Sequence, residues 1–180
     1  MPFVTDRTLF YGCVFCKTGC EIETVSQLTE NIQAADFVVP RKTIRRRTEN
    51  GMIEDTEILF PGYLFFQTTN DVPLMTINQN RNVLKVLTPD KSDWRLSGSD
   101  AMFVRWIFDH NGMFGLSEAH FVGDRIQIIA GPLQGMDEKI KKVNRRFRTC
   151  QVCVNFDGFE FQIWLGYKLV NDAYLPVECN

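Results

Sequence analysis

Residues 60–66 read Phe-Pro-Gly-Tyr-Leu-Phe-Phe, an apolar run that begins with a Pro-Gly pair. Pro-Gly is typical of a turn, and the aromatic residues after it favour a β-strand. Because side chains alternate along a strand, Tyr63 and Phe65 share one face, and Leu64 and Phe66 share the other. Such a strand is either covered on both faces, or covered on one and open to a partner on the other. The segment therefore predicts a sheet with at least one covered face and leaves both arrangements open.

The first 110 residues alternate between strand and helix patterns. Apolar side chains at helical spacing predict helices over 20–33, 72–80 and 97–110. Runs rich in β-forming residues predict strands over 9–15, 36–44, 52–59, 63–68 and 83–87. Asn50-Gly51 favours a hairpin turn between the second and third of these strands. This order predicts an antiparallel or mixed sheet covered by helices, the α+β class.

Residues 119–171 show a second pattern, in which short β-rich runs are separated by turn residues. The runs are 124–130, 138–144, 150–156 and 160–165, and the turn pairs are Gly131-Pro132, Arg145-Arg146 and Asp157-Gly158. Several short strands so close together predict a small, strongly bent β-barrel. Segment 111–118 has two glycines and no periodicity, so we expect a linker there. The expected organisation is a domain over 1–110, a linker over 111–118, a domain over 119–171 and a disordered tail over 172–180.

The composition, with 44% hydrophobic and 23% charged residues, is that of a globular protein with an ordinary core. There is no run of 18 apolar residues and no secretory signal, so we expect a cytoplasmic protein without membrane contact. The net charge of −2 excludes a uniformly basic nucleic-acid binder. Residues 1–118 carry 12 basic and 15 acidic groups, whereas residues 119–171 carry 8 basic and 5 acidic groups. The second segment is therefore the candidate for contact with a polyanion.

Six cysteines raise the question of a metal site. Cys13-x-x-Cys16 and Cys150-x-x-Cys153 have a spacing found among zinc ligands. Both pairs fall in predicted strands, where positions i and i+3 point to opposite faces and cannot share one ion. We therefore expect free thiols, with no metal and no cofactor.

No group of residues predicts catalysis. Two histidines leave few general bases, and no phosphate-binding loop or nucleophile-elbow motif occurs. Cys16 precedes a predicted helix, a position that favours a nucleophilic thiolate, but the sequence offers no base for it. We expect that the protein is not an enzyme.

Two basic runs are the candidates for binding nucleic acid. Residues 41–47 lie on one arm of the predicted hairpin, and residues 139–148 contain six cations and no acidic residue. In the second run, alternation places Lys139, Lys141 and Val143 on one strand face and Ile140 and Lys142 on the other, and the turn 144–148 exposes its arginines together. Phe147 in that turn is suited to stack on an unpaired base. The candidate residues are Lys139, Lys141, Lys142, Arg145, Arg146, Arg148, Arg41, Lys42, Arg45, Arg46 and Arg47.

Basic runs also have a simpler interpretation, because charges keep strand edges and hairpin tips in solvent. In the first run, the nearby Glu49, Glu54, Asp55 and Glu57 can pair across the hairpin and neutralise it. The second run contains no such partners within its own ten residues. If either run contacts phosphates, affinity will fall steeply with salt.

Several segments together resemble the NusG family of transcription elongation factors. Tyr11–Glu21 resembles the family's opening strand, turn and helix, and Phe37–Pro40 resembles its next strand. Phe60–Phe65 matches the most distinctive motif of the family, and Val122–Ile126 followed by Gly131–Gly135 resembles its KOW motif. The resemblance implies an α+β NGN domain followed by an SH3-like KOW β-barrel.

The resemblance also implies partners and a role. In this family the NGN sheet offers an apolar groove to the clamp helices of bacterial RNA polymerase, and motif position places Phe15, Tyr63 and Phe65 in that groove. The bound factor suppresses pausing, and specialised members promote read-through of terminators. The KOW barrel recruits a ribosomal protein, Rho or RNA, depending on the member. We expect the protein to act as a monomer.

The sequence departs from the housekeeping type of the family. Its linker is short, its KOW segment is basic, and Asn144-Arg145-Arg146 stands where many members have an acidic turn. These features resemble the LoaP antiterminators, whose KOW domain is associated with RNA hairpins. In other specialised paralogues a His-Thr-Thr segment contacts the polymerase gate loop. Pro73-Leu74-Met75 stands at that position here, so this contact is not implied.

Three hypotheses follow from these observations. The first is an antitermination and elongation factor that binds RNA polymerase through its NGN domain and an RNA hairpin of a leader transcript through its KOW domain. The second is a general elongation factor whose KOW domain binds Rho or a ribosomal protein instead of RNA. The third, from another class, is a cysteine-dependent redox or metal-binding protein.

Overall fold

The structure, a computed structural model, describes residues 8–89 and 93–170. The side chains of Arg47 and Met52 and the expected tail 172–180 lie outside this description. Strands and helices are both present, as expected for the α+β class. The elements are β1 (Phe10–Cys16), α1 (Glu21–Asn31), β2 (Ala35–Val38), β3 (Arg41–Thr48), β4 (Gly51–Ile58), β5 (Tyr63–Thr68), α2 (Leu74–Gln79), β6 (Val83–Val86), α3 (Gly98–Asp109), β7 (Met113–Phe114), β8 (Ser117–Val122), β9 (Arg125–Ala130), β10 (Ile140–Asn144), β11 (Thr149–Phe156) and β12 (Phe159–Leu169).

The chain divides into two compact units. In the described residues, the first contains the chain up to Arg41 together with 58–113 and 155–159. The second contains 42–57, 114–154 and the chain from Glu160 onward. The segment 111–118, expected as a linker, contains β7 and the first two residues of β8.

The first unit is built on an antiparallel sheet with the strand order β2–β5–β1–β6. Its central strand β5 is covered on both faces. Leu64 and Phe66 lie in a core that includes Leu28 of α1 and Ile77 of α2. On the opposite face, Phe65 packs against Phe103 of α3. At Phe65 the strand is therefore covered on both faces, which is one of the two arrangements that the sequence left open.

The single strand expected over 36–44 is instead two strands in different sheets. β2 pairs with β5, whereas β3 belongs to a sheet with the order β4–β3–β7. Pro40 stands between them, and its ring removes a backbone donor and restricts the residue before it. The chain therefore leaves the first sheet at Val39-Pro40, and a continuous-strand prediction is wrong at this point.

The second unit contains a sheet with the order β10–β11–β12–β8–β9. β8 pairs in parallel with β12 and antiparallel with β9. The Asp157-Gly158 hairpin is confirmed, since both residues have positive φ, 51° and 74°, as a tight two-residue turn requires. β8 was not predicted as a strand because its polar Glu118 and His120 interrupt the apolar run. In the structure its alternate residues Ser117 and Ala119 are buried.

None of the helices in the described residues is long and apolar enough to cross a lipid bilayer.

Candidate functional site

A row of three side chains crosses one face of the sheet in the first unit. Phe15 on β1 lies opposite Tyr63 on β5, and their ring centroids are 4.6 Å apart. Lys85 on β6 lies opposite Phe15 on the other side, with its ammonium nitrogen 5.0 Å from the centroid of that ring. Both rings are half-buried and Lys85 is exposed. The row therefore presents partly accessible aromatic surface beside a cation.

Phe65, the third residue expected in the apolar groove, lies in the core. Its ring stacks near-parallel to that of Tyr63, with the centroids 6.5 Å apart. It is only 1% exposed, because Phe103 and Phe156 cover it at centroid distances of 5.9 and 5.3 Å. Phe65 therefore adds little accessible area here and instead supports Tyr63 through packing.

Three further aromatic residues complete this cluster. Phe60 packs edge-on against Phe103 at 5.5 Å, and Phe156 lies 5.3 Å from Phe103 and 6.4 Å from Tyr63. Sequence reasoning did not connect them with the groove. Contacts between residues 40 or more positions apart leave no local pattern in the sequence. The one available signal for this cluster was Phe60, because it belongs to the motif at 60–66.

A buried carboxylate holds the turn that opens β5. Glu21, 1% exposed, accepts hydrogen bonds from the backbone N–H of Gly62 at 2.8 Å and of Gly19 at 2.7 Å. The carbonyl oxygen of Gly62 accepts the N–H of Cys16 at 2.9 Å. Gly62 has φ +83°, a conformation that glycine adopts at little cost. This network fixes the ends of β1 and β5 at which Phe15 and Tyr63 lie.

The first basic run is largely neutralised within its hairpin. Salt bridges join Lys42 to Glu57 at 2.9 Å, Arg45 to Glu54 at 3.4 Å and Arg46 to Asp55 at 3.5 Å. These are the cross-hairpin pairs that the simpler interpretation of the run required. Arg41 begins β3 and is exposed. The side chain of Arg47 lies outside the described residues.

Most cations of the second basic run are not neutralised by an acidic residue in the described part of the chain. Lys139, Lys141, Lys142 and Arg146 are exposed and form no salt bridge with another described residue. Lys139 ends a 3-10 turn instead of lying in a strand. A bulge between Ile140 and Lys142 makes two β10 residues oppose one β11 residue. Because a bulge interrupts alternation, Lys141 and Lys142 are both exposed, and the prediction that they occupy opposite faces is wrong.

Two arginines of the turn after β10 lie against aromatic rings. The Arg145 guanidinium lies 4.3 Å from the Phe121 ring centroid and pairs with the Asp124 carboxylate at 3.2 Å. Arg145 thus has an acidic partner that its own run does not contain. The Arg146 guanidinium lies 5.5 Å from the ring centroid of Phe147, which is 64% exposed. The turn therefore presents an exposed aromatic ring among cations.

Three of the described cysteines are buried and poorly suited to act as nucleophiles. Cys13, Cys16 and Cys150 are buried free thiols. Burial, with the Glu21 carboxylate as a second cause, raises the pKa of Cys16 to about 11. Burial also raises the pKa of Cys150 to about 12. Because the thiolate is the nucleophile, these thiols are poorly reactive at neutral pH. No cluster of His, Cys, Asp or Glu in the described part of the chain is arranged to hold a metal ion.

Comparison with known proteins finds similar solved structures but no matching sequence. No protein-family model matches the chain, and no curated protein matches it. Among solved structures, the chain is similar to NusG of Thermotoga maritima, from a study of domain interaction in that protein. The TM-score is 0.48 at 15% identity, over 88% of this chain and 94% of that chain. A likeness at this level assigns no function.

Proposed function

We propose that the protein is a transcription elongation and antitermination factor. It binds bacterial RNA polymerase through the sheet of its first unit and a structured RNA through its second unit. The first unit corresponds in this proposal to an NGN domain, and the five-stranded sheet of the second to a KOW barrel of the specialised, LoaP-like kind. The proposal rests on the motifs at 60–65 and 122–135 and on the surfaces of the two units.

The polymerase contact is assigned to Phe15 and Tyr63. Their rings are adjacent and half-buried, and the Glu21 network holds the strand ends that carry them. Aromatic side chains bury large apolar area at low entropy cost, so a rigid pair of this kind suits an amphipathic helix of a partner. Phe65 positions Tyr63 from the core side.

One observation carries the RNA assignment: Lys141, Lys142 and Arg146 are exposed and form no salt bridge with another described residue, and Arg146 lies 5.5 Å from the ring centroid of the exposed Phe147. Unpaired cations on a strand and turn attract phosphates at little cost, because no salt bridge must first be broken. An exposed aromatic ring among them suits a base that is not paired. The first basic run has a smaller electrostatic role, since three of its cations are already paired.

Single-round transcription through an intrinsic terminator tests the proposal. Purified bacterial RNA polymerase is used with and without the protein, on templates with and without a hairpin-containing leader from beside its gene. Leader-dependent read-through is the expected result. Pause suppression on both templates would indicate the general elongation factor, and no effect on either would overturn the polymerase assignment.

Matched variants separate the two surfaces. Phe15→Ala should weaken polymerase binding, whereas Leu84→Ala, which removes an exposed apolar side chain from β6, should not.

Lys141→Ala with Lys142→Ala should weaken RNA binding while polymerase binding persists. Lys168→Ala is the control for this pair, because Lys168 is a cation of the second unit already paired with Glu118 at 3.0 Å. Equal effects of Lys168→Ala and the double variant would contradict the RNA assignment.

A further inference from the structure

The second unit contains a cavity at which its two basic runs meet. Its volume is about 160 Å³. Residues 42–45 of β3 form one wall, and Phe147–Thr149 and β12 form another. The lining residues are Lys42, Thr43, Ile44, Arg45, Leu116, Phe147, Arg148, Thr149, Trp164 and Gly166. The two basic runs, 41–47 and 139–148, are far apart in the chain but both contribute to this cavity.

The lining combines aromatic and cationic groups. Phe147 is 64% exposed and Trp164 is half-buried, so both rings have accessible surface. Three cations line the cavity, and none of the described lining residues is acidic. Glu57 and Glu54, which pair with Lys42 and Arg45, are absent from the lining. The cavity therefore suits a planar group attached to a negatively charged chain.

The volume limits the occupant further. Pockets that enclose a drug-sized molecule measure roughly 300–1,000 Å³, well above this cavity. An occupant must therefore be a small part of a larger ligand. The Leu116 side chain packs closely on the Gly166 backbone, since a Cβ placed on Gly166 would lie only 2.4 Å from Leu116 Cδ2.

We propose that this cavity is a slot for one unpaired RNA base, a proposal that rests on the RNA-binding function above. The base stacks on Phe147 and Trp164, and the Thr43 and Thr149 hydroxyls provide donors and acceptors for its polar edge. The flanking phosphates lie along Arg146 and the exposed lysines of β10. A base within a duplex cannot enter, because its faces are stacked and its edge is paired. The second unit therefore recognises an extruded nucleotide in addition to the charge of a hairpin stem.

Two model hairpins test this proposal. They share one stem sequence, and one carries a single bulged 2-aminopurine while the other carries the same base analogue inside the stem. The full-length protein should bind the bulged hairpin at least about 5-fold more tightly, given the usual strength of base–aromatic stacking. Stacking should also quench the fluorescence of the bulged analogue and alter that of Trp164, the latter identified by its loss in Trp164→Phe.

Phe147→Leu removes the stacking ring and keeps an apolar side chain at an exposed position. It should abolish most of the preference for the bulge and leave binding to the fully paired hairpin unchanged. Phe159→Leu is the matched control, because Phe159 is 66% exposed and does not line the cavity. Circular dichroism of each variant confirms that it is folded.

The outcomes separate this inference from the proposed function. Equal, salt-sensitive binding of both hairpins would overturn the base slot and leave the RNA-binding function in place. No binding of either hairpin or of the protein's own leader RNA would overturn both. If Phe147→Leu weakened binding of Rho or a ribosomal protein but not of RNA, the slot would hold a protein side chain and the proposal would be wrong.

Discussion

The carboxylate of Glu21 accepts the backbone N–H of Gly62 at 2.8 Å, across 41 positions of the chain. It thereby joins the first turn of α1 to the Pro61-Gly62 turn that opens β5. The other carboxylate oxygen accepts the N–H of Gly19 from the loop after β1. A single buried side chain thus ties together the two strand ends that carry Phe15 and Tyr63.

Replacing Glu21 should destabilise the first unit. Glu21→Ala leaves the buried N–H of Gly62 without an acceptor, and we expect a loss of about 1–3 kcal/mol in the free energy of unfolding. Glu21→Gln keeps one acceptor oxygen, so its free energy of unfolding should fall by less. Urea unfolding followed by Trp fluorescence measures both losses. Glu23→Ala, on the exposed side of the same helix turn, should have little effect, and an equal loss would refute the role of Glu21.

Gly62 should tolerate alanine less well than Gly19 does. Both have positive φ, +83° and +91°, so each substitution carries a backbone cost of roughly 1–2 kcal/mol. At Gly62 the new Cβ would also lie 3.3 Å from both the Cys16 carbonyl oxygen and Thr18 Oγ1, whereas at Gly19 nothing lies within 4 Å. Gly62→Ala should therefore show the larger loss in urea unfolding. Identical losses would mean that close packing against Cys16 contributes nothing.

Stability should fall at alkaline pH in a way that depends on Cys16. Its pKa rises from the ordinary 9.0 to about 11 in the folded protein, because burial and the Glu21 carboxylate disfavour the thiolate. A raised folded-state pKa stabilises the fold below pH 9, and this stabilisation is lost as the pH rises from 9 through 11. The difference corresponds to about 3 kcal/mol, at 1.36 kcal/mol for each pKa unit.

Cys16→Ala removes this titrating group. The free energy of unfolding, measured in urea at intervals from pH 7 to 11.5, should fall less steeply above pH 9 in the variant than in the wild type. The cavity left by the missing sulfur lowers the variant's curve by a constant amount, so the slope is the quantity to compare. Parallel curves would show that the Cys16 thiol does not control alkaline stability.

The two basic runs should differ in their salt dependence of RNA binding. Lys142 is exposed and forms no salt bridge with another described residue, so Lys142→Ala should reduce the slope of log affinity against log salt by about 1. Arg46 is paired with Asp55, and Arg46→Ala should change the slope less. Fluorescence anisotropy with the leader hairpin at several salt concentrations measures both slopes. A larger change for Arg46→Ala would indicate that the hairpin carries the main phosphate contacts.

Local patterns predicted most of the elements. The helical spacing of apolar residues placed α1, α2 and α3 within a few residues of their observed bounds. Asn50-Gly51 and Asp157-Gly158 predicted their hairpins because positive φ at such pairs is a property of the residues themselves. The cross-hairpin salt bridges of the first basic run also followed from sequence, because partners on adjacent strands lie at predictable offsets.

Other features had no local signature. The alternation assumed for Lys141 and Lys142 fails at a bulge, which depends on how β10 pairs with β11. The partner of Arg145 is Asp124, 21 positions earlier in the chain, and nothing in the run 139–148 indicates it. The cavity lined by Lys42, Phe147 and Trp164 likewise requires segments that meet only after folding.

The amino-acid sequence by itself determined the helices, the hairpins, the charge of the second basic run and the motifs at 60–65 and 122–135. These depend on intrinsic backbone preferences and on near neighbours in the chain. Only the tertiary structure decided that Phe65 is covered, that Glu21 holds Gly62 and that two distant basic runs border one cavity. Such features depend on contacts between distant segments, whose free energy is set by packing and by desolvation of groups brought together on folding.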